Sequence, residues 1–173
     1  MANSSNTLYF LCLVHAEKKA VSKPGPLNLA LLIDASGSMG GEGKLDEAKE
    51  AAKMFVDGLR EDFLSVYSFS DSVKEIVPPQ VVSNKGKVNN AIDNIDLEGG
   101  TALFHALRQV RDNLKRTKTT SMTNRLIVIT DGCPTSDEQM FSSNNEWKQY
   151  SEKFALETLE KSVSITAIGV GSD

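Results

Sequence analysis

The chain has 173 residues, 40% of them hydrophobic and only 6% aromatic, which suits one domain with a mostly aliphatic core. Its net charge of −4 and its scattered Lys and Arg exclude a nucleic-acid footprint, and the densest basic group, Lys115-Arg116-Thr117-Lys118, reads as a solvated helix end. Two cysteines, Cys12 and Cys133, form no disulfide framework, and no His or second Cys stands at a metal-ligand spacing.

The first residues, Met1-Ala2-Asn3-Ser4-Ser5-Asn6, lack a basic n-region, and Leu8 to His15 is too short and too early for a secretory h-region. No stretch approaches the ~20 apolar residues of a membrane span. These features give the expectation of a cytoplasmic domain. Leu8 to His15 is predicted as a strand, and Lys18 to Pro26 as a Pro-containing connector, which sets residues 1–26 apart from the domain that follows.

Leu27 to Asp34 is a near-continuous apolar run, the pattern of a strand buried on both faces. Gly40-Gly41-Glu42-Gly43 is a loop. Leu45, Ala48, Ala52, Phe55 and Leu59 then recur at helical spacing. Phe63 to Phe69 reads as the next strand, Ser70-Asp71-Ser72 as a turn, and Val73 to Val77 as an antiparallel edge strand ended by Pro78-Pro79. Val88, Ala91, Ile92 and Ile95 suit a short helix. Leu103, Ala106, Leu107, Val110 and Leu114 make a clearer one, with Thr101 expected as its cap. Leu126 to Asp131 is a strand, Trp147, Tyr150, Phe154 and Leu159 support a helix, and Val163 to Val170 is a last strand. There is no internal repeat.

Strands alternating with helices imply an α/β fold: three layers, α/β/α, around a mostly parallel sheet with one antiparallel edge strand. In such sheets ligands sit beyond the carboxyl ends of the strands, where strand order reverses. Asp34 and Asp131 both end apolar strands, so they meet in one crevice if those strands flank the reversal. Asp34-Ala35-Ser36-Gly37-Ser38 places one carboxylate and two hydroxyls two residues apart, an offer of hard oxygen ligands to a small divalent cation. Thr101 can reach the same crevice from its own loop.

Asp34-x-Ser36-x-Ser38, Thr101 within Gly99-Gly100-Thr101, and Asp131-Gly132 after a strand resemble the metal-ion-dependent adhesion site of the von Willebrand factor A family, with every position filled. The resemblance spans residues 27–173. It implies that Ser36 and Ser38 bind Mg²⁺ directly, that Thr101 does so directly or through water, and that Asp34 and Asp131 act mainly through water. Mn²⁺ is an expected substitute. It implies a non-catalytic interaction module whose protein partner supplies an Asp or Glu carboxylate to the metal. The alternative within the same fold is a subunit docking onto a larger machine, such as an ATPase complex. The family normally adds one more helix and strand, so 27–173 is expected to be a C-terminally truncated domain. The uncovered edge beside Ile165 and Ile168 would then invite self-association, unless the strand at 8–15 or a second copy covers it.

Enzyme readings fare worse. Ser36-Gly37-Ser38-Met39-Gly40 approaches a nucleophile elbow but has Ser36 where the first Gly belongs, and neither His15 nor His105 follows Asp131 as triad order requires. His105 reads as a helix-surface or packing residue. Gly37 to Gly43-Lys44 is one residue too long for a phosphate loop, with Leu45 where the hydroxyl belongs. A metal-dependent aspartyl phosphatase would want a second carboxylate where Ser36 stands. The Gly-x-Gly-x-x-Gly turn of a dinucleotide fold is missing.

Overall fold

The computed structural model describes residues 25–117, 122–132 and 144–171. The expected strand at 8–15, both cysteines and Lys118 lie outside the described residues. The elements are β1 (Leu27–Asp34), α1 (Lys44–Gly58), β2 (Phe63–Phe69), β3 (Val73–Val81), α2 (Lys85–Asp93), α3 (Leu103–Arg116), β4 (Thr123–Thr130), α4 (Asn144–Glu160) and β5 (Val163–Gly169). The five strands form one sheet in the order β3-β2-β1-β4-β5, parallel except for the β2–β3 pair. The expected α/β class and the antiparallel edge strand both stand.

β1 is the centre of the sheet because it is apolar on both faces. Leu29, Leu31 and Ile33 pack against Leu45, Ala48, Ala52 and Val56 of α1 and against Val88 and Ile92 of α2. Ala30 and Leu32 face the opposite way, into a cluster with Leu103, Leu107, Val110 and Leu114 of α3 and Phe154 of α4. Each such Leu or Ile stabilises the fold by roughly 1.5–3 kcal/mol relative to leaving it exposed. Asn28 interrupts the apolar run but is satisfied: its Nδ2 donates to the Leu114 carbonyl at 3.2 Å and to Asn124 Oδ1 at 2.8 Å, tying β1 to α3 and β4.

Two expectations need correction. β3 does not end at Pro78-Pro79 but runs to Val81. An edge strand leaves one row of its N–H groups outside the ladder, so proline, which has none, is tolerated there, and the pairing register shifts between Leu64 and Tyr67 on β2. Thr101 does not cap α3. Ala102 occupies the N-cap position, with no side-chain cap bond. The helix that Trp147, Tyr150, Phe154 and Leu159 support is α4. Tyr150, Phe154 and Thr158, at a strict spacing of four, face inward, and Leu159 is 74% exposed.

Arg111 accounts for Thr158 facing inward. It lies buried on α3, 1% exposed, with its guanidinium 4.9 Å from the centre of the Phe154 ring. It donates to Asp112 at 3.1 Å and to Thr158 Oγ1 at 3.2 Å, and Glu157 stands 3.6 Å away. Burial pushes the Asp112 carboxyl up, but Lys161 and Arg111 outweigh it and hold the group below its ordinary range. Phe104 meets Tyr150 and Phe154 edge-on, at 5.2 and 5.6 Å between ring centres. Two rings and one cation therefore seat a helix whose apolar face is weak. Among the described residues, no helix is long and apolar enough to cross a membrane.

Arg111→Ala removes the cation beside Glu157 and Thr158 and the surface over Phe154. Asp112 keeps Lys161 and both carboxylates left behind are 37% exposed, so the expected loss, about 2 kcal/mol, comes mainly from the packing surface lost over Phe154. Urea denaturation measures it. A loss below about 1 kcal/mol would class the cluster with surface ion pairs.

Candidate functional site

Strand order reverses between β1 and β4. From β1 the chain runs outward through β2 to β3, then returns to the other side of β1 with β4 and β5. The parallel register pairs Ile33 with Ile129, so Asp34 and Thr130 leave the sheet side by side. Asp131 follows at once.

Asp34 is fully buried. Its Oδ1 accepts the Ser36 N–H at 2.9 Å, and its Oδ2 accepts the Thr130 hydroxyl at 2.5 Å. Thr130 Oγ1 in turn accepts the Gly132 N–H at 3.0 Å, which sets the turn after Asp131. Burial raises the Asp34 pKa, the bonds from Ser36 and Thr130 oppose that rise, and the charge of Asp131 adds to it.

The Ser36 turn continues as a short 3₁₀ helix, Gly37–Gly40, anchored by buried Met39. Ser36 Oγ lies 3.1 Å from Ser38 Oγ, and Ser38 Oγ donates to Asp131 Oδ1 at 3.2 Å. The other oxygen of Asp131 accepts from Lys44 Nζ at 3.2 Å. Asp34, Ser36, Ser38 and Asp131 are thus brought into one hydrogen-bonded string.

The loop that carries Thr101 is tied to the turn after β1. Thr101 is 1% exposed. On one side of it the Gly37 N–H donates to the Gly99 carbonyl at 2.8 Å, and the Glu98 N–H to the Ala35 carbonyl at 2.7 Å. On the other, the Gly100 N–H donates to Asp71 Oδ2 at 2.9 Å, and the Ala102 N–H to the Ser70 carbonyl at 2.8 Å. A Cβ on Gly99 would lie 2.4 Å from Asp71 Oδ2, so any side chain there would push that carboxylate off the Gly100 N–H. Ser70 Oγ also donates to Glu98 at 3.1 Å, and the Lys74 ammonium pairs with the same carboxylate. That pairing, against a small opposing effect of burial and with help from Ser70, holds Glu98 below the usual carboxylate range.

Sequence reading missed Thr130, Lys44 and Asp71. Thr130 had one usable signal, its place beside Asp131 at the end of an apolar strand. Asp71 had a turn signal only. Lys44 entered only as the lysine of a phosphate-loop pattern that does not fit. His105 is exposed on α3.

The donor set suits a small hard cation. A six-coordinate Mg²⁺ with bonds of ~2.1 Å places adjacent ligand oxygens ~3.0 Å apart. The Ser36–Ser38 oxygen pair and the Ser38–Asp131 pair, at 3.1 and 3.2 Å, are close to that edge length. Among the described residues there is no cluster of three or more His, Cys, Asp or Glu, so the oxygens on offer are largely neutral hydroxyls.

The family model for the von Willebrand factor type A domain matches residues 29–134. An uncharacterised protein of the cyanobacterium Synechocystis, sll0103, is 36% identical over 108 residues, 62% of this chain and 25% of its own length. The chain therefore spans about a quarter of that relative's length. Among solved structures, a von Willebrand factor type A protein from Catenulispora acidiphila superposes with a TM-score of 0.64 at 21% identity, covering 86% of this chain and 34% of its own. Proximal thread matrix protein 1 from the mussel byssus, with a zinc-occupied metal-ion-dependent adhesion motif, superposes with a TM-score of 0.63 at 20% identity, covering 86% and 37%. At these identities the two structures speak for the fold.

Two substitutions probe the geometry. An acid whose pKa is higher folded than unfolded binds its proton more tightly when folded, so stability falls as pH rises through the folded value. Asp34→Asn removes that fall. In chelator, its melting temperature relative to wild type should therefore climb between pH 4 and pH 7, and a difference independent of pH would show that burial of the Asp34 charge is not costly. Gly99→Ala should cost about 1–3 kcal/mol through overlap with Asp71. Asp71→Ala in the same chain should recover part of it, and strictly additive losses would place the strain elsewhere.

Proposed function

The chain belongs to the von Willebrand factor type A domain family, and we propose that it works as a divalent-metal-dependent module that grips an acidic side chain of a partner protein. Domains of this family are typically protein-interaction modules. The observation that carries the metal-dependent reading is the string Ser36–Ser38–Asp131, set above the buried Asp34 at the switch point of the sheet. We assign the module to residues 27–173.

In this reading Ser36 and Ser38 offer their hydroxyl oxygens to the ion. Thr101 offers its own, directly or through water. Asp34 and Asp131 orient those hydroxyls and bound waters. The bound ion supplies Lewis acidity toward an oxygen anion and nothing else. Hard oxygen donors of this kind favour Mg²⁺, with Mn²⁺ as its usual replacement. Hydroxyl ligands leave the ion's charge largely uncompensated, so a carboxylate from outside is the natural completing ligand.

A catalytic role has less support. No histidine follows Asp131 in the sequence, and the loop at 37–44 lacks the spacing of a phosphate cradle.

Calorimetric titration with Mg²⁺ and Mn²⁺ tests the reading. Wild type should bind one ion, weakly, in the absence of a partner. Ser36→Ala with Ser38→Ala should abolish binding while leaving circular dichroism unchanged, and Asp131→Ala should weaken it at least tenfold, in line with the loss of an orienting group. Equal binding by wild type and the double serine variant would overturn the site. A partner complex that survives chelation would place the contact surface elsewhere.

A further inference from the structure

Lys44 stands where helix electrostatics disfavour it. It is the first residue of α1, at the end where the helix dipole favours negative charge, and the same turn carries Asp46 and Glu47 in the favoured sense. Its side chain leaves α1 and crosses to the far strands. The ammonium reaches Asp131, whose side chain is only 2% exposed, while that of Lys44 is 24% exposed. The path is narrow: a Cβ on Gly171 would lie 3.2 Å from Lys44 Cε, tighter than ordinary contact. The carboxylate so reached is the one whose other oxygen holds the Ser38 hydroxyl.

We propose that Lys44 is a stand-in cation for Asp131, one that a divalent ion must displace or repel, so that this lysine sets the metal affinity of the site. The inference rests on the metal reading above and deepens it. A nearly buried carboxylate beside a second buried acid needs a positive charge close by. The Lys44 ammonium provides one. A divalent ion among Ser36, Ser38 and Asp131 provides another, and both cannot sit against one carboxylate without mutual repulsion. Affinity is thereby held low until a partner's carboxylate adds its own charge.

The test uses the full chain, with Mn²⁺ alone as the probe, on wild type, Lys44→Gln and Lys44→Arg. Calorimetry at fixed ionic strength reads affinity, and melting in chelator and in saturating Mn²⁺ reads the charge balance at Asp131. Lys44→Gln should bind Mn²⁺ roughly three- to tenfold tighter, the scale expected for removing one like charge at a partly screened site. It should melt lower than wild type in chelator and gain more from Mn²⁺. Lys44→Arg keeps the charge and should stay near wild type. Equal affinity in wild type and Lys44→Gln, with both binding, overturns the proposal and leaves the metal reading intact. Weaker binding by Lys44→Gln also overturns it, making the lysine a support that orients Asp131 toward the ion. If none of the three chains binds Mn²⁺, the metal reading falls and this inference falls with it.

Discussion

A carboxylate buried at the end of the central strand must find donors or lose its charge. Asp34 finds two, and each one shapes the molecule. The Ser36 N–H bends the chain immediately after β1 and so presents Ser36 and Ser38 together. The Thr130 hydroxyl comes from a strand 96 residues later and locks the carboxyl end of β4 beside that of β1. Once both are in place, Asp131 can only emerge next to Ser38. The crevice is thus a by-product of satisfying one buried acid, and no loop has to fold independently to make it.

Much of this was legible in the chain because the signals are local and redundant. β1 is apolar on both faces, so its burial follows without knowing its neighbours, and the two acids at strand ends follow from that. The misreadings share a different cause. Prolines ended β3 on paper, although an edge strand was expected, because which positions of an edge strand point their N–H groups away from the ladder is a tertiary fact. Thr101 looked like a helix cap because a hydroxyl before an apolar helix normally is one. Its loop is instead held from both sides by backbone bonds to Ala35, Gly37, Asp71 and Ser70. No hydrophobic pattern announces that Thr158 faces inward on α4: buried Arg111 donates to its hydroxyl, which closes onto the Phe154 carbonyl at 2.7 Å. Asp71 and Lys44 act on residues 29 and 87 positions away, and no local pattern announces such partners.

The loops around the crevice come from both faces of the sheet. Lys44 opens α1, which covers one face with α2, and the Gly99–Thr101 loop leads into α3 on the other. The Gly37–Gly99 and Ala35–Glu98 bonds join the central strand's turn to that second loop. Glu98 carries the connection outward to Ser70 and Lys74. A shift of the Ser36 turn therefore cannot stay local. It must stretch bonds that also fix the entry to α3, whose buried face is the densest contact of that layer.

Charge balance separates this arrangement from a site built to hold metal tightly. A tight site gathers several ionised carboxylates on the ion. Here Asp34 lies beneath the string, its charge disfavoured by burial and committed to Ser36 and Thr130. Asp131 shares its two oxygens between a hydroxyl and an ammonium. The side chains nearest the crevice mouth are serines, one buried and one exposed. A cation placed among them would keep most of its charge and an outward-facing demand for an anion. That demand is a liability in an isolated chain and an asset in a receptor for acidic side chains. The same balance makes the buried acid of the group the one least able to neutralise such an ion: its burial builds the crevice and commits its oxygens to Ser36 and Thr130.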